Sequence, residues 1–93
     1  MELMSRKNRV ITLPEIVYTD KPEWEPLERV VGERCKEFMY MGMVPIGEVW
    51  IFLYKHINNR RYLNLDGRNG AYRFENGTYY PVSVKDALDW VFV

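Results

Sequence analysis

The sequence predicts a single α+β domain: a small antiparallel β-meander of four to five strands, with a helix from the N-terminal half and a C-terminal helix packed on one face. Three observations point there. Between residues 48 and 82, short runs rich in β-branched and aromatic residues alternate with turn sequences. The segments TDKPEWEPLERVV and SVKDALDWVFV carry helix-start signals and apolar residues at helical spacing. The 93 residues contain no internal repeat or low-complexity tract and are the size of one domain, 1–93.

Along the chain, residues 1–9 carry Arg6, Lys7 and Arg9 without periodicity and read as a frayed start. VITLPEIVY (10–18) has extended character, but Pro14 removes a ladder donor and confines it to an edge strand. Asp20 followed by Glu23 resembles a capping box, and Pro26 suits a first helical turn. Leu27, Val30 and Val31 then share a face. Residues 33–43 suit either helix or strand. We expect a helix over about 23–33, ended near Gly32, and then a strand through EFMYMGM (37–43), with VPIG (44–47) as a turn.

EVWIFLYKH (48–56) is the most strand-like segment, and both its faces are apolar, which makes it a central strand covered on each side. INN turns the chain. RRYLNLD (60–66) alternates, with Leu63 and Leu65 on one side and Arg60, Tyr62 and Asn64 on the other. DGRNG is a loop. AYRFE (71–75) and TYYPV (78–82) flank Asn76-Gly77, the signature of a type I′ hairpin. Ser83, with Asp86 three residues later, starts a helix whose apolar face holds Val84, Ala87, Leu88 and Val91.

Thirteen basic and thirteen acidic residues cancel, so the overall charge of a nucleic-acid binder is missing. The single cysteine, Cys35, forbids an intramolecular disulfide and fits a reduced, cytoplasmic protein. No apolar run approaches the length of a membrane span or a secretory signal.

No motif of defined reaction chemistry appears. What stands out is local: residues 54–74 hold four aromatic rings and five Lys or Arg against a single Asp. With helices on one face of the sheet, the other is free for use. Pairing parity across the turns is not readable from the sequence. The expected outer surface combines Trp50, Phe52 and Tyr54 with Arg60, Tyr62 and Arg73. Rings and guanidinium groups of this kind enrich at protein interfaces, so the expected function is non-catalytic binding to a protein partner or to a second copy as a homo-oligomer. The alternative is single-stranded nucleic acid, with bases stacked on the rings and phosphates on the cations; no RNP, GXXG or zinc-knuckle pattern supports it.

A catalytic reading has only His56, which a hairpin turn at 57–59 would separate from Asp66. Cys35 reads as a small buried apolar residue. One Cys and one His without CxxC or HxxxH make no zinc site, and NLDGRNG lacks the terminal Glu of a calcium loop. No metal or cofactor is expected.

Overall fold

The computed structural model describes residues 16–18 and 21–93. They form α1 (Glu25–Val31), a 3₁₀ segment (Gly32–Glu37), β1 (Phe38–Ile46), β2 (Val49–His56), β3 (Tyr62–Asp66), β4 (Ala71–Glu75), β5 (Thr78–Val82) and α2 (Val84–Phe92). The strands make one antiparallel sheet in the order β1-β2-β3-β4-β5, so the expected meander with its two helices is present. No helix among the described residues is long and apolar enough to cross a membrane.

Local chemistry accounts for most element boundaries. Ser83 caps α2, its Oγ accepting a hydrogen bond from the Asp86 amide at 3.0 Å. Asn76 and Gly77 both have positive φ, 53° and 79°, as a type I′ turn demands. At α1 the capping expectation fails. The helix begins at Glu25 with Trp24 as N-cap and no side-chain cap bond, and Asp20 lies outside the described residues, as do residues 1–9 and most of the 10–18 segment. Of that segment, Val17 exchanges hydrogen bonds with Met43 on the outer side of β1.

The turn expected over 44–47 lies later, at Gly47 and Glu48, and β1 runs through Pro45. A proline fits here because Ile46 and Val49 flank the tight turn as a ladder-bonded pair. The next pair, Pro45 and Trp50, therefore directs its backbone groups away from the neighbouring strand. Pro81 opposite Tyr72 obeys the same rule on β5.

Gly42 bends β1. The register slips between Tyr40 and Gly42, inserting Met41 as a bulge. Gly42 has φ of 119°, and a Cβ there would stand 2.8 Å from Ile16 Cγ2 and 2.9 Å from the Val17 carbonyl. The bulge also changes parity, so Phe38 and Tyr40 face the helices whereas Gly42 and Val44 face the reverse side.

Two apolar layers result. Under the helices, Phe38, Tyr54, Leu63, Leu65 and Ala71 pack against Leu27 of α1 and Ala87 and Val91 of α2. On the reverse face, Val44, Ile51 and Leu53 are fully buried, with Tyr62, Tyr72 and Tyr79 packed around them. Tyr54 is sealed beneath α1, with its hydroxyl donating to the Glu23 carbonyl; burial pushes its ionisation up.

The expected outward set on β2 is thereby corrected. Tyr54 stands opposite Leu63 and Phe52 opposite Leu65, and residues directly opposite in a sheet share a face. Trp50, Phe52 and Tyr54 therefore belong to the helix side, while Ile51 and Leu53 take the reverse. Trp50 lies beyond the helices and is 54% exposed.

Replacing Gly42 with Ala forces a side chain into a left-handed backbone and into the 16–18 segment. Urea denaturation is expected to show a loss of about 1–3 kcal/mol, and an unchanged midpoint would show that the bulge tolerates a Cβ.

Candidate functional site

The sheet is not continuous across its middle. The ladder between β3 and β4 consists of Asn64↔Tyr72 and Leu65↔Ala71 alone, although β3 begins at Tyr62 and β4 ends at Glu75. Alternation shows what this leaves open. The His56 amide donates to the Arg61 carbonyl, so residues 61, 63 and 65 direct their backbone groups to β2. Tyr62, Asn64 and Asp66 direct theirs toward β4, as the bond from the Asp66 amide to the Gly70 carbonyl confirms. On β4, Tyr72 and Phe74 point back. Tyr62 and Phe74 thus face each other across a fork and, among the described residues, are not paired in the ladder.

One end of the fork is locked. Asp66 Oδ1 accepts hydrogen bonds from the Arg68 and Gly70 amides, and Oδ2 accepts one from the Tyr72 hydroxyl, each at 2.7 Å. Burial alone pushes the Asp66 carboxyl up, but these donors together hold it below its usual range. In return, the hydrogen bond to Asp66 pushes the Tyr72 hydroxyl up to about 12. Arg29 of α1 clamps the same loop through Asn69 Oδ1 and the Gly67 carbonyl.

At the open end α2 acts as a strut. It leaves β5 at Ser83 and ends against the β2–β3 turn, where Asn59 Nδ2 donates to the Val91 carbonyl at 2.7 Å. Arg61 donates to the Trp90 and Val93 carbonyls at 2.8 Å. Ala87 and Trp90 thereby close the helix side of the fork.

The enclosed cleft measures about 1030 Å³, at the upper end of the roughly 300–1,000 Å³ usual for small-molecule sites. Its walls are largely aromatic, with Tyr62 and Asn64 on one side and Tyr72, Phe74 and Tyr79 on the other; Ile16 and both acidic and basic side chains complete the lining. Asn64 is 3% exposed. Its Nδ2 donates to the Tyr72 carbonyl at 3.3 Å, but its buried Oδ1 has no partner among the described residues. A buried acceptor without a donor costs about 1–3 kcal/mol, which marks this side chain as held for something other than stability.

The local excess of rings and cations is largely paired with itself. Arg61 lies over the Trp90 ring at 4.5 Å, Arg73 over Tyr80 at 5.3 Å and Lys55 by Tyr62 at 5.7 Å. Arg73 also meets Glu75 at 3.0 Å, and the Phe74 ring packs tilted against Tyr79 with centroids 4.7 Å apart. Arg60 differs. Its backbone is left-handed, with φ of 67°, and its guanidinium, at the rim of the cleft, has no hydrogen bond, ion pair or ring contact among the described residues.

Of the six residues expected to form one surface, the structure brings Arg60, Tyr62 and Arg73 to the cleft. Trp50 and Phe52 border a smaller hollow beside Asp66 and Arg68, and Tyr54 is buried. Asn64, Phe74, Tyr79 and Trp90 were missed. Alternation did place Asn64 on the side away from Leu63 and Leu65, but nothing in the sequence says that its amide would be enclosed with an acceptor unmet.

His56 is a joint rather than an open group. It is 6% exposed, its Nε2 stands 2.9 Å from Glu37 Oε1, and its Nδ1 accepts from the Asn58 amide at 3.2 Å. The rings of Phe38 and Phe92 close around it edge-on. Glu37 also takes two hydrogen bonds from Arg34. These, with the bond to His56, pull the Glu37 carboxyl down to about 2. Among the described residues no three of His, Cys, Asp or Glu converge as metal ligands.

Two measurements check this account. Because Glu37 titrates lower in the folded chain, its contribution is complete above about pH 4.5 and is lost as pH falls toward 2. Melting temperature should fall across that window, and less steeply in Glu37→Gln; Asp66, shifted in the same direction, leaves a residual slope. Asn64→Leu removes the unmet acceptor along with one long hydrogen bond and is expected to change stability by less than about 1 kcal/mol. A loss above about 2 kcal/mol would make Asn64 a structural residue. Comparison with family models, curated proteins and solved structures finds no match for this chain.

Proposed function

We propose that this protein is a non-catalytic binding module that takes hold of another polypeptide in the cleft between β3 and β4. The observation that carries this is the fork itself: a sheet that stops pairing at Asn64 and Tyr72 while both strands continue. Strand edges inside a folded protein are ordinarily paired or covered. A cleft of this size, walled by rings and crossed by backbone groups, suits a peptide chain better than a compact metabolite.

The single-stranded nucleic-acid reading requires open ring faces and uncommitted cations. Here Arg61, Arg73 and Lys55 already lie against Trp90, Tyr80 and Tyr62, so bases and phosphates would have to break contacts the chain makes with itself. Exposed Phe74 and Trp90 line the cleft and supply the aromatic area that protein interfaces favour. The lone Cys35 suits a reducing compartment such as the cytoplasm.

The test is amide-resolved NMR titration with a permanently unfolded polypeptide, reduced and carboxymethylated α-lactalbumin. Shifts are expected at Tyr62, Asn64 and Phe74, with little change at Trp50. Absence of shifts at the fork, or their appearance only with oligothymidylate, would overturn the reading.

A further inference from the structure

We infer that the cleft seats its partner as an extended β-strand of another protein, hydrogen-bonded to the backbones of Tyr62 and Phe74 and carrying an acidic side chain against Arg60. This rests on the polypeptide-binding reading above and specifies its chemistry.

Tyr62 and Phe74 continue the alternation that the closed part of the ladder uses at Asn64 and Tyr72. A strand entering between them would meet the outward amide and carbonyl groups of Tyr62 on one side and of Phe74 on the other, and such backbone bonds are how strand addition gains affinity. Asn64 stands at the inner end of this ladder. Its Nδ2 holds the Tyr72 carbonyl while its Oδ1 is unmet among the described residues, and a peptide N–H reaching that oxygen would supply the missing donor. Alternate side chains of the entering strand then fall between the Tyr62 side and the Phe74–Tyr79 pair, or over Ala87 and Trp90 of α2.

The charges specify the partner further. Arg73 is satisfied by Glu75 and Arg61 by the end of α2, which leaves Arg60, among the described residues, as the guanidinium without a partner at the rim, with Asp86 also lining the cleft. A carboxylate is its natural counterpart. Among the described residues a second copy of this chain offers a poor donor strand, because Pro45 interrupts the outer edge of β1 and Pro81 that of β5, while Val17 already occupies Met43.

The probe is a capped hexapeptide of alternating Val and Glu, measured by backbone amide shifts and the indole N–H shift of Trp90. It is compared with the alternating Val and Lys peptide, with the Val and Glu peptide N-methylated at every second residue, and with the unlabelled protein itself. The Val and Glu peptide is expected to bind roughly tenfold more tightly than the Val and Lys peptide. Arg60→Ala should shrink that preference to about twofold, and N-methylation in either phase should weaken binding by roughly tenfold, because alternate residues of the inserted strand face β3 and β4. Asn64→Leu, whose fold is checked by its own amide spectrum, should weaken binding as well. Equal binding of acidic and basic peptides, indifference to N-methylation in either phase, or displacement of the peptide by a second copy overturns this inference while leaving polypeptide binding in place. Failure of every peptide and of the unfolded polypeptide overturns both.

Discussion

In a β-strand successive side chains take opposite faces, so one cross-strand pair commits all the others. Here that pair is Tyr54 and Leu63. With Leu63 beneath the helices, Tyr54 must lie there too, where its hydroxyl finds the Glu23 carbonyl and fastens the approach to α1. Ile51 and Leu53 are then sent to the reverse face and Asn64 is set beside Leu53. The same register aims the backbone of Tyr62 away from β2. A slip of one residue would send Leu63 and Leu65 to the reverse face and turn Tyr62 and the polar Asn64 toward the helices.

The fork arises because two rigid attachments pull β3 and β4 in different directions. Near the β3–β4 loop, Asp66 binds two amides and a hydroxyl, and Arg29 holds the loop from α1. At the far end, α2 is tied by Asn59 and Arg61 to the β2–β3 turn while its start is covalently attached to β5. The Phe74–Tyr79 pair keeps the β4–β5 hairpin stiff as it departs. Zipping the strands together would require the strut to shift or the ring pair to part, and a well-packed interior resists both.

Much of this was legible in the residues. AYRFE, Asn76-Gly77 and TYYPV became β4, its turn and β5 as expected, and Ser83 caps α2 as its spacing with Asp86 implies. These are local rules, in which a turn type or a cap is decided within a few residues. β2 was different. Its two faces are equally apolar, so hydrophobic alternation carries no information about which of them meets the helices. The bulge at Gly42 was also hidden, because it depends on contact with residues 16–18, far away in sequence. The site suffered most, since its defining feature is strands that do not pair, and the abundance of Arg and Tyr suggested an exposed surface where many of them contact one another.

The prolines of the two outermost strands bear on how this protein behaves in bulk. An uninterrupted border strand is a template on which identical chains can stack without limit into fibres. Pro45 and Pro81 each place a ring where such a template would need a donor, so end-to-end growth is blocked on both flanks. The two outer borders are thus interrupted by proline, while the unzipped seam at the centre lies beside α2.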